Sequence, residues 1–197
     1  DYTRAMQWGQ RYFKEGGSNP AIRTLLIQSQ YLAGDYAGAA RELTAEIQAA
    51  EKGGTAPGQD RLNLLLNAAA QLKDTNATAF ALERLVTYYP KKEYWVDLLS
   101  RMQRKPGFSD RLVLDTYRLS LATGSLSSAA DFMEMGQLAL QAGNEEEARQ
   151  VVDKGFAAGV LGSGAEAERH KRLRDLVARK VAEAKANQAA AEAEAKA

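Results

Sequence analysis

Between Ser127 and Phe156 the apolar residues fall into two short helical stripes that meet at a Gly-Asn turn. Phe132, Met135, Gly136 and Ala139 recur at i, i+3, i+4 and i+7, which is one face of a helix. Gly143-Asn144 interrupts that period. Asn144 followed by Glu145, Glu146 and Glu147 predicts a new helix, because Asn caps well and carboxylates in a first turn favour the positive end of the macrodipole. Ala148, Val151, Val152 and Phe156 then form its buried stripe.

The same alternation of stripe and break runs along most of the chain. Ala5, Trp8, Gly9 and Tyr12 predict an opening helix with these aromatics in its core face, and Gly16-Gly17-Ser18-Asn19-Pro20 ends it. Proline in a first turn starts the next helix, which is expected to bury Ile22, Leu25, Leu26 and Ser29 before stopping at Gly34. Tyr36, Ala39, Ala40, Leu43 and Ile47 mark the third. After a loop at 52–59, Leu62, Leu65, Leu66, Ala69 and Leu72 mark a fourth. Leu82, Leu85, Val86 and Tyr89 mark a fifth. Trp95, Leu98, Leu99 and Met102 follow, Arg104-Lys105-Pro106-Gly107 breaks, and Leu112, Val113, Tyr117 and Leu121 continue to Gly124. From Ala165 the stripe narrows to Leu173, Leu176, Val177 and Val181. Its flanks carry the i,i+4 pairs Glu168/Arg172, Asp175/Arg179 and Arg179/Glu183. Beyond Val181 only Ala, Glu, Lys, Gln and Asn remain, a segment with helical propensity and nothing to bury.

The pattern large-x2-apolar-Gly-x2-small, then Gly-Asn, then Ala-x3-apolar resembles the tetratricopeptide repeat, a helix-turn-helix of about 34 residues. Asp1-Tyr2-x2-Ala5 and Asp35-Tyr36-x2-Ala39 lie 34 residues apart, so the array is expected to begin inside a repeat. Arg23, Leu62, Trp95 and Phe132 lead the successive first helices at intervals of 39, 33 and 37, with the surplus in loops. Tyr89-Pro90 closes a repeat where the family favours proline, and Trp95 takes the family's Trp position. Two departures stand out. Only Gly136 fills the family's Gly position, where Ile27, Leu66 and Leu99 stand in the other repeats, and Arg111 occupies the small-residue position of the third pair. The resemblance implies an all-α superhelix of antiparallel helix pairs over 1–158, and a capping helix with an exposed tail over 159–197. A generic helical bundle is the competing architecture.

Composition supports helices and removes several chemistries. The chain has 197 residues, four Pro and no Cys, which excludes disulfides and thiolate metal sites. Basic and acidic residues nearly cancel, 26 against 25, so no field argues for nucleic acid or an anionic membrane. No apolar run approaches the ~18 residues that a membrane span requires. His170, the one histidine, sits among Arg169, Lys171 and Arg172 and is expected to be a solvated helix residue. The RHKRLR run could form a phosphate patch, but Glu166, Glu168 and Asp175 oppose it. The three successive glutamates lack the spacing and turn glycine of a calcium loop. No phosphate loop, nucleophile elbow or metal-ligand spacing occurs, so no catalytic residue, cofactor or metal is expected.

What remains is surface. The resemblance implies that first helices line a concave face, through the positions just off the buried stripe. Carried over, that face holds Thr24, Gln28, Tyr31, Asn63, Asn67 and Gln71, then Ser100, Gln103 and Arg104, then Met133, Gln137 and Gln141. Amides can both donate to and accept from an extended backbone. Chaperone-binding members clamp a terminal carboxylate with Lys, Asn and Arg, but Thr24 and Gln28 stand where a Lys and an Asn would be wanted. The expectation is therefore a non-enzymatic scaffold for an extended peptide or protein, with solvation alone as the competing explanation of these amides. Self-association through the ends of the array and a regulatory part of a larger protein are the other two readings. The segments TLLIQSQYLAGDYAGAA, YYPKKEYW and RKPGFSDRL are similar to bacterial exported repeat proteins, which implies a periplasmic setting, with the cytoplasm as the alternative.

Overall fold

The computed structural model describes residues 1–196. Among them there are ten α-helices, one 3-10 turn and no strand. The helices are α1 (Tyr2–Lys14), α2 (Pro20–Leu32), α3 (Tyr36–Lys52), α4 (Gln59–Leu72), α5 (Thr75–Tyr88), α6 (Lys92–Gln103), α7 (Val113–Ala122), α8 (Ala129–Gln141), α9 (Glu145–Ala157) and α10 (Ala167–Glu194). The chain divides into two compact units, Asp1–Arg101 and Met102–Ala197, and each has its own core.

In the first unit consecutive helices from α1 to α5 pack on one another. Short polar caps set the boundaries. The carboxylates of Asp1, Asp35 and Asp74 accept from Arg4, Gly38 and Ala77 N–H at 3.4, 2.9 and 3.0 Å, satisfying donors that a helix start leaves free. Ile27, Leu43, Ile47, Leu62, Leu65, Leu82 and Leu85 fill the core.

Several residues expected in the core are exposed, Tyr12 among them. Trp8 is 66% exposed and Leu25 56% exposed. On α1 the buried side centres on Gly9, where an added Cβ would stand 3.1 Å from Leu26 Cβ, and that turns Trp8 outward. On α2 the buried face holds Leu26, Ile27, Ser29 and Gln30, a rotation of one to two positions from the stripe read in sequence. Leu72 and Met102 are also exposed rather than packed.

The second unit is built on α8, α9 and α10, with α7 beside α8. Ser128 and Asp131 form a reciprocal capping box at the start of α8. Phe132, Met135, Ala139, Ala148, Val151, Val152, Leu173, Val177 and Val181 form the core, with Tyr117 and Leu121 against it. Gly136 sits where α8 and α9 meet, and a Cβ there would lie 2.9 Å from Val152 Cγ2 and 3.5 Å from Leu173 Cδ2. Asn144 takes the capping position of α9 but makes no side-chain cap hydrogen bond. Leu112 is exposed, because Asp110–Leu112 forms the 3-10 turn rather than a helical face, and Arg111 lies in that turn.

The three expected i,i+4 pairs on α10 do not form among the described residues. Arg169 pairs with Glu166 at 3.1 Å, Lys180 with Glu183 at 2.7 Å, and Arg174 reaches across to Asp153 on α9 at 3.2 Å. After Val181 no residue of α10 is buried. No helix among the described residues is long and apolar enough to cross a membrane.

Candidate functional site

The first-helix positions nominated from sequence divide between the two units. On α2, Thr24 Oγ1 accepts from Arg61 of α4 at 2.7 Å, and Arg61 also pairs with Glu46 of α3 at 3.2 Å. Thr24 therefore belongs to a side-chain network joining three helices. Tyr31 packs against the core and meets Tyr36 edge to face at 5.2 Å between ring centres. Asn63 is half-buried, and its Oδ1 accepts from Tyr94 Oη at 3.1 Å while Gln59 donates to the same hydroxyl at 3.0 Å. Gln28, Asn67 and Gln71 are exposed. Ser100 is half-buried on α6; half-buried Gln103 at the end of that helix and exposed Arg104 already belong to the second unit. Of the nominated amides in the first unit, Gln28, Asn67 and Gln71 stay exposed while Asn63 is engaged with Tyr94.

The second unit concentrates the remaining nominees. Met133, Gln137 and Gln141 of α8 line a cleft of roughly 700 Å³. Its other wall comes from Val160 and Ser163 of the loop after α9, and from Glu166, Arg169 and His170 at the start of α10. Met133 is itself a core residue, 5% exposed, so it contributes the floor of the cleft rather than a free side chain. Gln137 and Gln141 are exposed along the α8 wall.

His170 is the largest departure from the sequence reading. It is 4% exposed, not solvated, and its Nδ1 accepts from Gly162 N–H at 3.1 Å. The cause is the loop from Gly159 to Gly164, which folds back over α10. Gly162 has φ of +88°, a left-handed conformation that a Cβ disfavours. A signal for this was present, because His170 continues the stripe Leu173, Val177, Val181 by one step of three. The polar type of the residue hid it.

Glu134 also lines the cleft and was not nominated. Its carboxylate accepts from Tyr117 Oη at 2.9 Å. Burial, and then the hydrogen bond to Glu134, push the Tyr117 hydroxyl above its ordinary range, so Tyr117 stays a donor at physiological pH. Two of the four cations in the RHKRLR run are engaged: Arg169 with Glu166, and Arg174 with Asp153 and over the Phe156 ring at 4.7 Å.

Among the described residues no three His, Asp or Glu side chains are grouped so as to hold a metal. The cleft offers amide and imidazole hydrogen bonds over an apolar floor of Met133, Ala130 and Val160, and that arrangement suits binding. No family model matches the chain, and no curated protein matches it.

Proposed function

We propose that this chain is a non-catalytic protein-interaction scaffold of the tetratricopeptide type, which holds an extended segment of a partner along its first helices. The observation that carries the reading is the cleft beside α8. Met133, Gln137 and Gln141, placed on the binding face by repeat position alone, lie together in one concavity with hydrogen-bonding groups on the opposite wall. The repeat pattern adds support: Asp1 and Asp35, 34 residues apart, both cap helices that open with Tyr-x2-Ala. A preformed cleft leaves the ordering cost to the peptide, so affinity is expected to be modest, roughly micromolar.

Calorimetry on the whole chain with captured partner peptides tests this. The double change Gln137→Ala, Gln141→Ala should weaken binding by roughly tenfold with little movement of the melting temperature, at about 1 kcal/mol or less per hydrogen bond. Arg41→Ala, on the exposed side of a second helix, should leave binding intact. If Arg41→Ala abolishes binding and the glutamine pair does not, the first-helix reading fails.

A second reading, assembly through the ends of the array, is favoured by one observation: Tyr2, Trp8 and Tyr12 lie exposed along α1. A sedimentation experiment over a hundredfold concentration range separates a monomer from a self-assembling chain. The likeness to exported bacterial repeat proteins supports a periplasmic setting, which cell fractionation of the full gene product tests.

A further inference from the structure

Among the groups lining the cleft, His170 combines deep burial with a ring nitrogen that no described residue pairs. The imidazole is almost wholly buried, and its Nδ1 is committed as an acceptor to Gly162 N–H. With Nδ1 accepting, the ring proton resides on Nε2. That Nε2–H has no hydrogen-bond partner among the described residues, yet it is not one of the sealed, unpartnered polar atoms, of which Gln30 Oε1 is the single described case. The ring edge carrying it is therefore not sealed, and His170 is one of the residues that line the cleft. A donor held rigidly by its other nitrogen and left unpaired at a cleft wall is arranged for an acceptor that arrives with a ligand.

The charges on the walls narrow the ligand. Glu134, Glu166 and Arg169 line the cleft. Arg169 is taken by Glu166 at 3.1 Å, whereas Glu134 has only the neutral Tyr117 hydroxyl. The lining is thus one unit negative, with its unneutralised carboxylate on α8. A carboxylate-bearing ligand is disfavoured there, and a cation is favoured.

We infer that the cleft between α8 and α10 takes an extended peptide carrying a lysine or arginine, with His170 Nε2–H donating to a backbone carbonyl and Glu134 pairing with the cation. This rests on the scaffold reading and adds to it the residue that anchors the backbone and the residue that selects the side chain. Gln137 and Gln141 supply further backbone hydrogen bonds, and Met133 and Val160 take a small apolar neighbour of the basic residue. His170 is a ligand-contacting residue in this scheme, and Gly162 positions it.

The test uses the whole chain and three fluorescein-labelled nonapeptides of Ala, Leu and Ser that differ only at the centre, which is Lys, Gln or Glu. Fluorescence polarisation should rank them Lys, Gln, Glu, with roughly tenfold between the ends, as expected of an exposed ion pair against its repulsive counterpart. Glu134→Gln, which keeps an acceptor for Tyr117, should bring the Lys peptide to the level of the Gln peptide. His170→Asn keeps a side-chain oxygen near the Nδ1 position for Gly162 and removes the Nε2 donor. It should weaken all three peptides alike, by roughly fivefold for one neutral hydrogen bond. Equal binding of the three peptides, a Lys preference that survives Glu134→Gln, or affinities untouched by His170→Asn would each overturn the inference. Should His170→Asn lower the melting temperature, the Glu134→Gln result decides alone. Binding that ignores both variants but falls with Asn67→Ala rejects this cleft and leaves the scaffold standing. No binding of any peptide at millimolar concentration rejects both.

Discussion

A methyl group added at Gly136 would press on Val152 and approach Leu173, so the three helices of the second core converge at a residue without a side chain. Gly136→Leu should destabilise the chain by ~1–3 kcal/mol through overpacking, read as a lower midpoint in urea. A variant that unfolds with the wild type would show that α8 and α9 are not assembled at this point. This position was legible in the sequence, because a glycine inside a strong i, i+3, i+4, i+7 stripe has few roles other than close approach. Gly155 stands at the same i+7 step of the α9 stripe after Ala148, Val151 and Val152, where an added Cβ would lie 2.7 Å from Leu161 and 3.1 Å from Phe132. The expected stripe ran on to Phe156 instead, and the contact with the loop residue Leu161 is the part that no helical period reports. Trp8 is the opposite case. Its spacing matched a core face, but spacing alone does not say which of two adjacent stripes meets a partner. Exposed as it is, Trp8→Ala should change stability by no more than about 0.5 kcal/mol. A loss of several kcal/mol in thermal unfolding would mean that this ring is covered in solution.

Helix boundaries were the most readable feature at the level of elements, because they rest on local chemistry. Asp35, Asp74 and Ser128 cap through their own side chains, and Gly34, Gly124 and Gly143 follow helix ends with positive φ. Facial assignments were less secure. On α2 Leu26 and Ser29 are buried as expected, but the buried Ile27 and Gln30 turn the face away from Leu25, and a hydrophobicity count cannot foresee that a glutamine lies inside. The long α10 divides at Val181, its last buried residue. Deleting 182–197, of which Ala197 lies outside the described residues, should leave the melting temperature nearly unchanged, since this stretch buries nothing. Deleting from Ala165 removes Leu173, Val177 and Val181 from the second core and should be costly, by several degrees at least. Equal behaviour of the two truncations would place the division elsewhere.

For the molecule as a whole, acid should act chiefly through the second unit. Hydrogen bonds from Arg118 hold the Glu147 carboxyl below its ordinary value of 4.5, and those from Arg149 do the same for Glu146. A carboxyl whose folded value is depressed contributes stability above the unfolded value and loses it as pH falls through the folded one. Melting temperature should therefore be flat from neutral pH to about 5 and decline below the ordinary 4.5. Glu147→Gln should flatten part of that decline; a steeper decline in the variant would contradict the assignment. The all-helical class and the run of packed helices were readable from periodicity, which is a property of the chain. The cleft was half readable. Its α8 wall follows from repeat position, while its α10 wall depends on a glycine-rich loop folding back, and no period encodes that.

The most direct measurement is chemical-shift mapping of the ¹⁵N-labelled whole chain titrated with the Lys-centred nonapeptide. The account predicts that backbone shifts concentrate in residues 129–141 and 160–170, with the α9 amides from Glu145 to Ala157 little moved. Shifts confined to α9, or to the α10 tail beyond Val181, would contradict it.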